Sequence, residues 1–209
     1  MRGNSKMRKV VLSSGNQHKI NEIKDILKSL KFEVVSKNDI GYEDFDVVED
    51  KTTLEENAFK KAEELHKLVK GIVLADDTGL FVDVLNGEPG VYSARYAGEP
   101  TSDKNNRVLL LKNLKDVPTE KRTAHFKTVI AIIFEDGNKT MAEGRVDGRI
   151  AFEERGQNGF GYDSLFIVED TGRTFAEMTD EEKNKISHRA RALINLKKKL
   201  EDLGENTSN

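Results

Sequence analysis

Apolar and polar positions along the chain fall into short blocks whose period switches between that of a strand and that of a helix. Lys9 to Leu12 reads as a first strand, followed by the small-residue turn Ser13-Ser14-Gly15-Asn16. Ile20, Ile23, Leu27 and Leu30 then recur at helical spacing, and Phe32 to Val35 suggests a second strand. The stretch from Lys37 to Lys51 is acidic and without period. It leads to Thr53-Leu54-Glu55-Glu56, which fits a capping box ahead of a helix from about Leu54 to Val69, with Gly71 closing it. Ile72 to Ala75 has the character of a buried strand. Leu80 to Leu85 forms a further apolar block beyond Asp76-Asp77-Thr78-Gly79, where Gly79 is expected to turn the chain tightly.

Further on, Gly87-Glu88-Pro89-Gly90 reads as a turn, and Ser102 as the cap of a helix with Val108, Leu109 and Leu111 on its inner side. Ala124 to Phe134, the Asp136-Gly137 turn and Lys139 to Val146 read as a long hairpin, so antiparallel pairing accompanies any parallel strands. The glycine-rich stretch Gly156 to Gly161 leads into a strand from Ser164 to Val168. Helical patterns follow at Asp180 to Lys185 and Arg189 to Leu203, and a polar tail runs from Gly204. Met1 to Lys6 add no apolar period and read as a dispensable extension. The expected fold is α/β, with a long, mixed, partly antiparallel central sheet flanked by helices in one domain over residues 7–203.

Composition narrows the function. A length of 209 residues allows one substantial core, and a formal net charge of -3 is not the basic balance of a general nucleic-acid binder. The apolar run Val129 to Phe134 is far short of the roughly 20 residues that cross a bilayer, so no membrane-spanning helix is expected. The polar start has no signal-peptide core, and a cytoplasmic address is expected. With no cysteine and four scattered His, a metal would have to be held by oxygen.

Several groups could carry chemistry. Ser14-Gly15-Asn16-Gln17-His18-Lys19 lies between a strand and a helix, where amide groups and the helix dipole favour an anion; it lacks P-loop spacing, and a capped helix with a surface lysine has the same pattern. Asp76-Asp77 would sit at the C-terminal end of a buried strand, a common place for ligands in α/β sheets. Only one of two adjacent strand residues faces a given site, and Asp77 is the choice, with Asp76 left to cap a turn. One carboxylate with phosphate oxygens and water is a common way to hold Mg²⁺. Glu49 offers a second oxygen, or belongs to a solvated acidic loop. Lys61, on the second long helix, matters if a polyphosphate lies near it. In Gly159-Phe160-Gly161-Tyr162-Asp163, Phe160 suits stacking on a flat ring and Asp163 can accept from a ring N–H, although aromatics beside glycine also serve as core plugs. Ser187 reads as a helix cap, and His188 and Arg189 in the first turn oppose the helix dipole, with Lys183 one turn upstream. A donor-only Arg beside an aromatic shelf favours a 6-oxo purine over a 6-amino purine.

Together, Ser14-Gly15-Asn16-Gln17-His18-Lys19, Glu56-Asn57-Ala58, Ala75-Asp76-Asp77-Thr78-Gly79-Leu80, Pro89-Gly90-Val91-Tyr92-Ser93-Ala94-Arg95, Phe160-Gly161-Tyr162-Asp163 and Ser187-His188-Arg189 resemble the inosine triphosphate pyrophosphatase family in order and approximate spacing. The resemblance implies Mg²⁺-dependent hydrolysis of ITP, dITP and XTP to monophosphate and pyrophosphate, by a homodimer whose two lobes enclose a cleft. It also assigns roles: Ser14 to Lys19 to the triphosphate, Asp77 to Mg²⁺ and as proton acceptor, Glu49 to the metal, and Thr78 and Lys61 to the substrate. Phe160, Gly161, Tyr162 and Asp163 would form the base pocket, closed by Lys183, His188 and Arg189. Thr78 stands where the family commonly has serine, Asn158 replaces a frequent glycine and Ser164 a frequent proline. Two other readings remain open at this point: a Maf-like pyrophosphatase of modified pyrimidine nucleotides, and a sensor that binds a nucleotide without cleaving it.

Overall fold

The computed structural model describes residues 8–28 and 32–206. The extension Met1 to Lys6, Met7, Leu30 and the final residues 207–209 lie outside the described residues. In chain order the elements are β1 (Arg8–Leu12), α1 (Gln17–Lys28), β2 (Phe32–Ser36), α2 (Leu54–His66), β3 (Ile72–Val82), β4 (Pro89–Gly90), α3 (Asp103–Asn113), β5 (Thr123–Ile133), β6 (Lys139–Ile150), β7 (Phe166–Val168), α4 (Asp180–Ile186) and α5 (His188–Asn206). The strands form a seven-stranded sheet in the order β2-β1-β3-β5-β6-β7, with β4 alongside β3. β1 runs parallel to β2 and β3, whereas β4 and β7 are antiparallel to β3 and β6, so the expected mixed α/β sheet is borne out.

The chain divides into two compact units, the first comprising residues 1–77, 129–142 and 192–209 and the second 78–128 and 143–191. In the first, register pairs Val10 with Val34 on β2 and with Ile72 on β3. Its core joins Val10, Leu12, Ile72 and Leu74 to Ile20, Ile23 and Leu27 of α1, which recur at helical period. α2 buries Leu54, Ala58, Ala62 and Leu65 along one stripe. Thr53 caps it by accepting the Glu56 amide, but the Glu56 carboxylate turns to the Thr53 hydroxyl, so the capping box is only half made. The helix stops at His66 rather than Val69, since Leu68 is half exposed and no apolar contact extends the stripe.

In the second unit the core packs Leu80, Leu110, Phe126, Val146, Phe166 and Phe175 together. Ser102 caps α3 as expected, and Leu111 packs against the core as expected, but the buried residues are Asn106, Leu110 and Leu114, while Val108 is exposed. The inner stripe has a polar residue at its head, which an apolar count passes over. Asn106 is buried because it holds the neighbouring loop, donating to the Ala94 carbonyl at 2.9 Å and accepting the Ala97 amide at 2.8 Å. β6 runs on to Ile150, β7 begins only at Phe166, and α5 continues through Gly204 to Asn206, where a tail was expected.

The largest departure concerns β3. No turn interrupts it at Gly79: Ile72 to Val82 is one strand with Asp76 and Asp77 in its middle. Gly79 is needed instead for close approach, because a Cβ there would lie 2.6 Å from the Gly90 carbonyl oxygen, on the strand that pairs with Leu80 and Phe81. The acidic pair can stay in the sheet because lysines, rather than water, meet its charge.

Candidate active site

The first unit assembles a buried charged cluster around β3. The Ser13 amide donates to the Leu74 carbonyl at 2.8 Å, tying the end of β1 to β3 and fixing the start of the following loop. Ser14 Oγ accepts the Asn16 amide at 3.2 Å, and Asn16 Oδ1 accepts the amides of His18 and Lys19 at 3.0 and 3.2 Å. Asn16 therefore caps α1, and the cationic character of the loop rests on the helix dipole and on side chains such as Lys19. Lys19 Nζ lies 3.1 Å from Asp76 Oδ2, a side chain only 1% exposed. Asp76 is thus no turn cap. Strand alternation sends it toward α1 and Asp77 toward α2, yet both carboxylates act in one electrostatic set.

Lys61, partly buried on α2, bridges the other acids, with Nζ 2.6 Å from Glu49 Oε1 and 3.1 Å from Asp77 Oδ1. Burial disfavours its ammonium, but Asp77, Glu49 and Asp76 hold it well above the ordinary lysine value. Burial also opposes ionisation of Glu49, and there Lys61 and Lys19 prevail and keep its carboxyl low. For Asp77 the balance tips the other way: burial, joined by the charge of Glu49, raises it despite Lys61 and Lys19. Asp77 Oδ2 is buried and has no hydrogen-bond partner among the described residues. Leaving such an acceptor unpaired costs about 1–3 kcal/mol, which marks it as the point where a ligand atom belongs.

The second unit carries an aromatic and basic set. Thr78 Oγ1 is 2.7 Å from Thr128 Oγ1 and accepts from Arg189 Nη2 at 3.2 Å. Arg189 is buried, with its guanidinium 6.0 Å from the centre of the Phe160 ring, and Lys183 Nζ lies 5.0 Å from the same ring. Asp163 Oδ2 accepts from Lys183 Nζ at 2.7 Å and from the Phe160 amide at 2.9 Å. Gly161 is anchored on both sides, its amide donating to Asp103 and its carbonyl accepting from Arg107. Tyr162 faces the core, where its hydroxyl donates to the Ser93 carbonyl at 2.7 Å. It plugs the core and sets the loop, leaving Phe160 as the loop's shelf. Ser187 caps α5 by accepting the Ala190 amide, and the His188 ring stacks on Phe126 at 4.5 Å.

Residues 10–199 match the profile of the Ham1 family. The chain belongs to the Ham1 family. It is 51% identical over 198 residues to a dITP/XTP pyrophosphatase of Thermoanaerobacter sp. (strain X514), covering 93% of this chain and 99% of that protein. To the dITP/XTP pyrophosphatase of Bacillus subtilis (strain 168) it is 46% identical over 195 residues, or 93% and 98% of the two chains. Among solved structures, the Staphylococcus aureus Ham1 protein is similar with a TM-score of 0.81 at 42% identity, over 93% of this chain and 99% of that one. A HAM1 protein from Coxiella burnetii gives a TM-score of 0.83 at 37% identity, over 94% and 100%. The resemblance drawn from the sequence blocks is borne out.

In this Ham1 protein the donors present suit Mg²⁺ in kind. Asp77 offers an unpartnered buried oxygen and Glu49 a carboxylate kept ionised beside it. Among the described residues no group of three or more His, Asp or Glu side chains forms a cage. The sequence reading left Asp76 to cap a turn and passed over Thr128. Asp76 was visible as a charge inside an apolar strand, whereas Thr128 lies in an apolar stretch of β5 and gave no signal.

Proposed function

We propose that this Ham1 protein is a dITP/XTP pyrophosphatase, hydrolysing dITP, ITP and XTP between the α- and β-phosphates to monophosphate and pyrophosphate. The observation that carries the reading is Asp77: ionisable, raised by burial, gripped by Lys61 at one oxygen and unpartnered at the other. The names of the relatives and the resemblance of the sequence blocks support the substrate class.

The first unit supplies the phosphate contacts. Lys61, Lys19 and the Ser14 to Lys19 loop meet the negative charge of the triphosphate. Asp77 and Glu49 would hold Mg²⁺, which when bound would supply neutralisation of the phosphate charge. Asp77 orients water toward the α-phosphorus and its carboxylate takes the proton; the water oxygen bonds to phosphorus and the bridging oxygen departs with pyrophosphate. A carboxylate raised above its ordinary value is the better proton acceptor. Phe160 gives a stacking face, and Lys183 and Arg189 offer only donors, which suit a 6-oxo group and leave a 6-amino group facing another donor. The same reading extends to a homodimer with a cytoplasmic address; among the described residues no helix is long and apolar enough to cross a membrane.

The test is incubation of purified protein with Mg²⁺ and equal amounts of ITP, dITP, XTP, GTP and ATP, with pyrophosphate and orthophosphate resolved. Monophosphate and pyrophosphate from ITP, dITP and XTP, with little from ATP, are expected. Orthophosphate as the product, or binding of ITP without turnover, would overturn the assignment, the latter in favour of a sensor. A preference for modified pyrimidine nucleotides would point to the Maf-like activity.

A further inference from the structure

Lys37 is a buried cation beside the phosphate loop to which no role has been assigned. It directly follows β2, is only 7% exposed, and its Nζ donates to the carbonyls of Tyr42 and Glu43 at 3.2 and 3.0 Å. These neutral acceptors occupy two of the three N–H groups of an ammonium. Among the described residues no carboxylate pairs with it, so its charge is held in place without being neutralised. A side-chain carbon on Gly15 would sit 3.6 Å from Lys37 Cε and 3.7 Å from Nζ, which puts the ammonium at the edge of the Ser14 to Lys19 loop.

Strand order gives this cation an address along the substrate. The Lys37 amide donates to the Leu12 carbonyl and the Ser13 amide to the Leu74 carbonyl, so the ends of β2 and β1 lie side by side with β3 at Leu74, three residues before Asp77. Lys37 follows β2, the phosphate loop follows β1, and Asp77 is on β3. Neighbouring strands are about 4.8 Å apart, which separates Lys37 from the β3 acid by roughly 10 Å across the sheet. The reacting α-phosphorus belongs beside Asp77. The geometry therefore points to Lys37 as a binding residue for the terminal phosphate, the end of the substrate that leaves as pyrophosphate. This assignment rests on the pyrophosphatase reading above.

The test compares the full-length wild type with Lys37→Gln, which keeps N–H donors for the Tyr42 and Glu43 carbonyls but removes the charge, and with Lys37→Arg. Binding of inorganic pyrophosphate and of XMP, each with Mg²⁺, is measured by calorimetry, alongside steady-state kinetics with XTP. Lys37→Gln is expected to weaken pyrophosphate binding about tenfold, as loss of a charge-assisted hydrogen bond does. It should raise KM for XTP, leave XMP affinity and the preference for XTP over ATP unchanged, and be largely rescued in Lys37→Arg. A purely structural role would alter pyrophosphate and XMP binding together. Pyrophosphate affinity that is equal in all proteins, or lost in parallel with XMP affinity, overturns the assignment. A wild type that binds pyrophosphate but does not cleave XTP overturns the enzymatic reading and this assignment with it, before any variant is compared.

Discussion

Removing Lys183 should destabilise the second unit by a specific and separable amount. Its Nζ lies 2.7 Å from Asp163 Oδ2, with the two side chains 3% and 6% exposed. Asp163 also accepts the Phe160 amide, so the pair fixes the loop that offers the stacking shelf. Lys183→Met retains the stem but leaves a carboxylate buried without its counter-charge, a change that costs about 3–5 kcal/mol. For a chain of this size that corresponds to a fall in Tm of roughly 6–20 °C. Asp163→Asn likewise takes the Asp163 charge away from the buried ammonium. The double variant Asp163→Asn/Lys183→Met removes both charges and should be more stable than the sum of the single costs predicts, with a coupling of about 1.5–3 kcal/mol. Urea unfolding of the four proteins, followed by circular dichroism, measures this directly. Single costs that add within about 0.5 kcal/mol would refute the coupling and with it the view that the pair organises the loop.

Asp77→Asn should lower kcat by about 10²-fold or more while leaving Tm close to wild type, because shape is kept while the proton acceptor and the anionic metal ligand are lost; near-full turnover would remove Asp77 from the mechanism. Arg189→Ala should narrow the preference for ITP over ATP about tenfold, read as a ratio of kcat/KM values so that the fraction folded cancels. An unchanged ratio would place the 6-oxo contact elsewhere. At the start of α4, the Arg173 hydrogen bond and the Thr179 amide hold Glu182 down to about 2, below the ordinary value of 4.5. Its folded value is depressed, so its contribution is complete above about pH 4.5 and lost as pH falls through about 2. An NMR titration of the Glu182 carboxyl with a midpoint near 4.5 would contradict this.

Period and punctuation made most elements legible. Ile20, Ile23 and Leu27 have a helical spacing that no strand tolerates, and Ser102, Thr53 and Ser187 mark helix starts by the amides they accept. The reading failed where a polar residue is buried for a local reason. Asp76 and Asp77 looked like the end of a strand because charges inside a sheet are costly, and only the lysines arriving from α1 and α2, remote in sequence, make their burial tolerable. Asn106 hid the inner face of α3, since its loop contacts lie about ten residues upstream. Among the site residues, Lys61, Asp77 and Glu49 were legible and are brought together. Tyr162 was grouped with the base pocket by its neighbours, although its hydroxyl belongs to the Ser93 carbonyl.

The two kinds of buried charge in this molecule show how a ligand site differs from a structural one. Arg122 is 1% exposed and meets no carboxylate among its hydrogen bonds, yet its guanidinium donates to the carbonyls of Leu114, Ile150 and Ala151, with the Phe152 ring 4.2 Å away. Every direction is closed, and the residue joins chain segments of the second unit. In the first unit, Lys19 and Lys61 meet Asp76, Asp77 and Glu49, and Asp77 retains an oxygen without a partner among the described residues. Buried ion pairs of this kind are often replaceable by apolar residues at no loss of stability, so stability does not account for keeping them. A buried carboxylate with one acceptor left open is suited to a cation, and the flanking lysines are suited to the phosphates that accompany it.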